Sequence, residues 1–251
     1  MEYSFILCTH KRPDQARRVL DILKKELSYD VELVVVTHGP ESRPLGNDFL
    51  YLENNEGRGS GSSLFYASRR ISGKWMAWFA DDHQYNDPDW FKKAIKHRID
   101  HPDIKIIQFN DGYDRNNNTC AAIGMMETQW YLDTYTTPIY DHYGWDNELT
   151  EYGKKLGIYS FADEVNIYDP KDWKHMRTGV QGEMQKRDEK RLFERRERLG
   201  FGPVKPQNTF KVPTDPETIR RLATVQQKQK DKRARLEAIK GMLRERRKNN
   251  P

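Results

Sequence analysis

A chain of 251 residues can bury one substantial core, so any second unit has to be small. Hydrophobic residues at 36% and aromatic residues at 12% suffice for that core, while 32% charged residues and a mean hydropathy of −0.98 predict a wet surface. Apolar stretches such as residues 33–36 and 75–80 are far too short to span a bilayer, and no apolar signal segment follows the N-terminus, so a cytoplasmic protein is expected.

Residues 3–9 read as a buried strand, and Pro13 stands where a helix would begin, with Ala16, Val19, Leu20, Leu23 and Leu27 at helical spacing. Cys8 lies inside the strand run and reads as an inert core thiol. With Cys120 as the only other cysteine, neither a disulfide framework nor a zinc knuckle is expected, which fits a reducing compartment. Residues 31–37 form a second apolar, β-branched run, stopped by His38-Gly39-Pro40. Strand, helix, strand is the opening of a parallel sheet.

Residues 49–52 suggest a third strand, followed by the glycine-rich stretch from Asn54 to Gly61 and a helix over 64–71. A fourth strand over 75–80 delivers Asp81-Asp82-His83 at its carboxyl end, where open α/β sheets bind their ligands. Pro88-Asp89-Trp90 begins another helix, and strands are expected over 104–109, 119–126 and 164–168. Beyond residue 170 the composition changes. Residues 183–199 form a charged helical stretch, 200–216 a Pro-rich connector, and 217–248 a long basic helix capped by Asp215 and Pro216. The expected division is a catalytic domain over 1–178 and a basic, mainly helical extension over 179–251.

Asp81-Asp82-His83 places three polar side chains directly after a strongly hydrophobic strand, which is costly unless they meet a partner. A divalent cation is one such partner, and a solvated turn or helix cap is the other reading. Carboxylate and imidazole together tilt a metal toward Mn²⁺ over Mg²⁺. The order of elements over residues 3–170 resembles the family 2 glycosyltransferases of the GT-A fold. Their opening strand ends in Thr-x-x-Arg-Pro, matched by Thr9-His10-Lys11-Arg12-Pro13. Their Asn-x-Gly loop, Asp-x-Asp strand end and Pro-Asp-Trp helix start are matched by Asn55-Glu56-Gly57, Asp81-Asp82-His83 and Pro88-Asp89-Trp90.

That resemblance implies an α/β fold of Rossmann-like type, a mixed sheet flanked by helices, and a UDP-sugar donor bound with Mn²⁺ or Mg²⁺. Thr9, His10, Arg12, His38, Asn55, Arg58, Asp81 and Asp82 are the donor-binding candidates. Asp81 and His83 are the metal candidates, in an Asp-x-His form similar to that of polypeptide N-acetylgalactosaminyltransferases. Asp169, preferred over the nearby His175, is the candidate third ligand. Thr37-His38 stands where the family often has an acidic pair that holds the uracil or ribose. Gly57, Gly59 and Gly61 follow neither Rossmann nor P-loop spacing, so they read as turn glycines or as a loop over the diphosphate with Arg58 as its cation.

Gly144-Trp145-Asp146-Asn147-Glu148-Leu149 looks like the family's Gly-Trp-Glu-Asp-x-Asp-Leu segment, at the start of a helix beside the acceptor. The match puts Asp146 on the base that removes the acceptor proton, with Glu148 as a second catalytic candidate, and implies inversion. The plainer readings are a helix N-cap for Asp146, an exposed first-turn acid for Glu148 and a core residue for Trp145.

The formal charge of +5 is unevenly spread: residues 186–251 hold about 21 Lys and Arg against about 9 Asp and Glu. Such a tail is expected to follow a polyanion, although a solvated or coiled-coil helix is the bland reading. Sugar transfer and a basic tail together suggest DNA as partner, with hydroxymethylpyrimidine bases of bacteriophage DNA as acceptor, in a host cytoplasm. The alternatives are a transferase of the same fold acting on a surface glycan or lipid-linked precursor, and a non-catalytic nucleic-acid-binding module.

Overall fold

The computed structural model describes residues 1–39, 43–44, 46, 48–55, 59–112, 123–136, 139–140, 144–168, 179–196 and 201. Among these residues, seven strands form one mixed sheet: β1 (Tyr3–Thr9), β2 (Val31–Thr37), β3 (Leu50–Glu53), β4 (Trp75–Ala80), β5 (Ile106–Asn110), β6 (Gly124–Glu127) and β7 (Tyr159–Asn166). Their spatial order is β3-β2-β1-β4-β6-β5-β7, and only β6 runs antiparallel to its neighbours. Six α-helices of the described residues accompany them: α1 (Pro13–Leu23), α2 (Ser60–Ser68), α3 (Trp90–Asp100), α4 (Thr128–Thr134), α5 (Trp145–Leu156) and α6 (Gly179–Glu194). The expected α/β mixed sheet flanked by helices is the observed architecture. Among the described residues, no helix is long and apolar enough to cross a membrane.

Strand periodicity explains the layers. Alternate side chains leave a strand on opposite faces, so Phe5, Leu33, Val35, Ala77 and Phe79 join one core cluster with Ala16, Leu20, Trp90 and Phe91 from α1 and α3. Ile6, Val34, Val36, Met76 and Trp78 face the other way and join Leu64, Tyr131 and Leu149 from α2, α4 and α5. A sheet covered on both faces has strands that are apolar at every position, which is how the runs at β1, β2 and β4 read.

Local departures from expectation have physical reasons. The helix starting at Pro13 is α-helical only to Leu23 and tightens into a 3₁₀ turn over Lys24–Ser28. The last strand occupies 159–166 rather than the expected 164–168, because its first half pairs with β5 through polar and half-buried residues. Its register is broken after Ala162, which pairs with Phe109, whereas the next pair is Asn110 with Asn166. His97 of α3 spans this strand, 2.7 Å from Glu164 Oε1 and 2.8 Å from Ser160 Oγ. Helix α4 has no counterpart in the expected elements. The connector at 200–216 and the helix expected at 217–248 lie outside the described residues, save for Phe201.

One buried acid has a purely architectural role. Glu32 of β2 is 1% exposed, and its Oε1 accepts from the Ser4 hydroxyl at 2.5 Å and from the N–H groups of Ser72 and Gly73 at 2.5 and 3.1 Å. It joins β1, β2 and the turn entering β4. A Cβ on Gly73 would stand 2.3 Å from Ser4 Oγ, so this approach requires glycine. Glu32→Ala is expected to leave the buried Ser4 hydroxyl and the Ser72 N–H without this acceptor, while the Gly73 N–H keeps Ser4 Oγ at 2.9 Å, and to cost about 2–3 kcal/mol, seen as a lower urea midpoint with an unchanged slope.

Candidate functional site

The register of the parallel strands aligns their carboxyl ends: Thr9 pairs with Thr37, Thr37 with Glu53, and Cys8 with Ala80. The next residue of each strand therefore lies along one edge of the sheet, placing His10, His38, Asn54 and Asp81 in a row. This is the edge at which open α/β sheets take ligands.

Asp81 is the most constrained member. It is 4% exposed, its Oδ2 accepts from the Thr9 hydroxyl at 2.6 Å, and its Oδ1 lies 3.3 Å from Arg12 Nη2. Arg12 Nη1 also reaches Asp82 Oδ2 at 3.1 Å, so one guanidinium bridges both carboxylates. Local backbone chemistry sends Arg12 there. Lys11 adopts φ +56, a left-handed conformation uncommon outside glycine, and Arg12 follows with a non-helical φ of −134 before Pro13 opens α1. Burial pushes the Asp81 carboxyl above its ordinary range, while the Thr9 hydrogen bond and the Arg12 charge hold it down in part. The Cys8 thiol beside it is pushed up to about 12 by burial and then by the Asp81 charge. Cys8, half-buried against the core, is therefore expected to resist iodoacetamide at pH 7.5, read by the mass of the peptide that carries it.

These residues suit a cation. Arg12 already stands as a positive group against Asp81 and Asp82, and a buried, desolvated carboxylate is stabilised by such a partner. His83, 7% exposed, accepts the Ala80 N–H at Nδ1, 3.1 Å away, which places the proton of the neutral ring on Nε2. Ligation by this ring therefore requires it to give up the Ala80 bond. Asp169 and His175 lie outside the described residues, but Tyr168, just before Asp169, exchanges two backbone hydrogen bonds of 2.9 Å with Gln84, the neighbour of His83. Among the described residues, no three His, Cys, Asp or Glu side chains form a complete metal cluster.

His38 is tied to the loop that begins α2. Its Nε2 accepts from the Gly59 N–H at 2.9 Å and lies 3.1 Å from Ser63 Oγ, while Nδ1 is 3.2 Å from the Asn54 carbonyl. The ring thus pins the start of α2 to the ends of β2 and β3, with the His10 ring 5.9 Å away. Gly59, at φ +100, makes the turn that allows this. His10 and Asn55 are exposed at the same edge, and Arg58 lies outside the described residues.

The start of α5 completes the edge. Gly144 caps the helix at φ +82, and Glu148 N–H closes the first turn onto the Gly144 carbonyl at 2.9 Å. Trp145 packs edge-to-face on Trp78 of β4 at 5.4 Å and donates from Nε1 to Ser60 Oγ at 3.2 Å. A Cβ on Gly61 would lie 3.0 Å from both the Trp145 ring and the Tyr140 carbonyl, so glycine is what lets α2 and α5 meet. Asp146, half-buried beside Trp145, is thereby brought to the end of the sheet that bears Asp81, and its Oδ1 accepts from the Asn147 N–H.

Glu148 is not an exposed first-turn acid. It is fully buried, its two oxygens take Arg195 Nε and Nη2 at 2.6 and 2.5 Å, and Tyr140 donates to it at 2.6 Å. The carboxylate is thus held by a bidentate partner and turned away from the role of a free base. Nothing in the local sequence announces Tyr140 or Arg195. The one legible signal is phase, since Glu148 shares the buried face of α5 with Leu149, Tyr152 and Gly153.

The family model described as Glycosyl transferase family 2 matches residues 4–148, more than half of the chain. No curated protein matches. Glucosyl-3-phosphoglycerate synthase from Mycobacterium tuberculosis, in complex with Mn²⁺, UDP and glucosyl-3-phosphoglycerate, is similar with a TM-score of 0.59 at 11% identity, covering 77% of this chain and 79% of that one. Its complex with Mn²⁺, UDP and phosphoglyceric acid gives a TM-score of 0.58 at 14% identity, covering 77% and 78%. Its complex with Mg²⁺ and UDP gives 0.58 at 13%, covering 77% and 79%. Likeness at this identity is a likeness of fold.

Proposed function

Because this chain belongs to glycosyl transferase family 2, we propose that it is an inverting, metal-dependent glycosyltransferase moving a sugar from a UDP-sugar to a hydroxyl group. The observation that carries the reading is the buried Asp81 carboxylate at the mouth of the sheet, already set against a positive group. Support also comes from the similar folds in which UDP is bound with Mn²⁺ or Mg²⁺.

In this proposal Asp81, His83 and Asp169 would hold the cation. Such an ion shields the charge of the departing diphosphate. Thr9 keeps the Asp81 carboxylate oriented, and Arg12 supplies a further positive charge within reach of the phosphates. His10, Asn55 and Arg58 belong to the donor side, and His38 acts there by shaping the loop that begins α2. Asp146 takes the proton of the acceptor hydroxyl as that oxygen attacks the anomeric carbon from the face opposite the diphosphate, giving inversion.

For the acceptor, we propose hydroxymethylpyrimidine bases in DNA, on the strength of the basic residues 186–251 and the need for an exposed primary hydroxyl. Phage-encoded DNA modification in a host cytoplasm is the setting this implies. The test is to incubate the full chain with Mn²⁺, a panel of UDP-sugars, and DNA containing thymine, hydroxymethyluracil or hydroxymethylcytosine, then digest and weigh the nucleosides. Added sugar mass on a hydroxymethylated nucleoside, and none on thymidine, is expected. Transfer to a surface glycan with none to any DNA would refute the DNA acceptor and keep the transferase.

A further inference from the structure

The segment that composition assigns to a basic appendage supplies the polar partner at the base of α5. Arg195 stands in the turn that continues α6, and its guanidinium grips both oxygens of Glu148 in a buried site. Two further contacts of α6 address the stretch that leads into α5. Arg191 Nη1 donates to the Ile139 carbonyl at 3.1 Å, and a Cβ on Gly144 would meet Leu192 at 3.4 Å. Asp188 is fully buried on the same helix and pairs with Arg191 at 3.2 Å. A helix that merely linked the sheet to a solvated tail would not bury an aspartate and half of a bidentate ion pair.

Glu148 lies two residues beyond Asp146, within the first turn of α5, so whatever fixes its carboxylate fixes the turn that carries Asp146. We infer that Arg195 is a positioning residue for sugar transfer: acting through Glu148 and Tyr140, it holds the opening turn of α5, so that α6 completes the catalytic unit. This rests on the reading of Asp146 as the base. It also moves the working boundary of the catalytic unit from residue 178 to at least residue 195.

The test separates positioning from stability. In the full chain, a Glu148→Met, Arg195→Met pair removes both charges at similar volume, a swap that often leaves stability unchanged or improved, and takes the acceptor of the Tyr140 hydroxyl with it. Hydrogen exchange of the amides over 144–149 is expected to quicken by about tenfold or more in this variant, with β1 and β4 unaltered. With UDP-glucose and Mn²⁺, its turnover to free glucose should fall about tenfold while KM stays within about twofold, and Arg195→Lys should regain part of that loss. Wild-type exchange over 144–149, or wild-type turnover, in the doubly substituted chain would overturn the inference. The exchange readout does not depend on sugar transfer. If the unaltered chain fails to bind UDP with Mn²⁺, the transferase reading falls while exchange still decides the role of Arg195.

Discussion

Replacing Asp81 by Asn is expected to lower kcat/KM for UDP-sugar turnover about a thousandfold, roughly 4 kcal/mol of transition-state stabilisation, without lowering the melting temperature. The amide matches the carboxylate in size and can still accept from the Thr9 hydroxyl, but it carries no charge to place against a cation. Stability should follow the opposite sense. Because burial raises the Asp81 pKa, the folded protein favours the neutral form, so this group's stabilising contribution is present below the unfolded pKa and is lost as pH rises through the folded value. An uncharged Asn at neutral pH escapes that desolvation cost. The lost pair with Arg12 subtracts little, since the Arg12 side chain is 47% exposed. Titration calorimetry with Mn²⁺ and UDP, beside a thermal melt, checks both halves. A variant that binds Mn²⁺–UDP as tightly as the natural chain would remove Asp81 from the metal site.

Asp146→Asn should act on a different quantity. Its Oδ1 accepts from the neighbouring Asn147 N–H, a bond that an amide oxygen also makes, so the first turn of α5 should be undisturbed. What disappears is the capacity to accept a proton as the acceptor oxygen attacks, worth about 10²–10⁴-fold in kcat, with KM for the donor unchanged. Glu148→Ala is the informative contrast. It leaves Arg195 buried without its counter-charge and should cost about 3–5 kcal/mol of stability, visible in a denaturant titration. If Asp146→Asn turns over at the natural rate, the assignment of the base is wrong, and Glu148 does not inherit it while Arg195 holds both of its oxygens.

The two acids also show how far a sequence can be read. β1, β2 and β4 are apolar at almost every position because helices cover both faces of the sheet, and this makes them legible without any structure. Asp81 was legible for the same reason, as a charge directly after such a strand. The antiparallel sense of β6 is not legible, since four residues at a sheet interior carry no mark of direction. Edge strand β7 hides its residues before 164 behind Ser160 and Asp163, which read as loop until their partners His97 and Asn110 are in place. The setting of Glu148 depends on Tyr140 and on Arg195, 47 residues away, and no local spacing encodes a contact of that length.

The broken register of β7 bears on behaviour at high concentration. As one of the two edge strands among the described residues it offers a margin of the sheet to a passing chain, yet its ladder to β5 skips from Ala162 to Asn166, and the intervening residues include two solvent-facing acids, Asp163 and Glu164. An incoming β-segment would find neither a continuous row of amide groups nor a neutral surface to zip along. The break in register thereby guards the fold against runaway self-association along this edge.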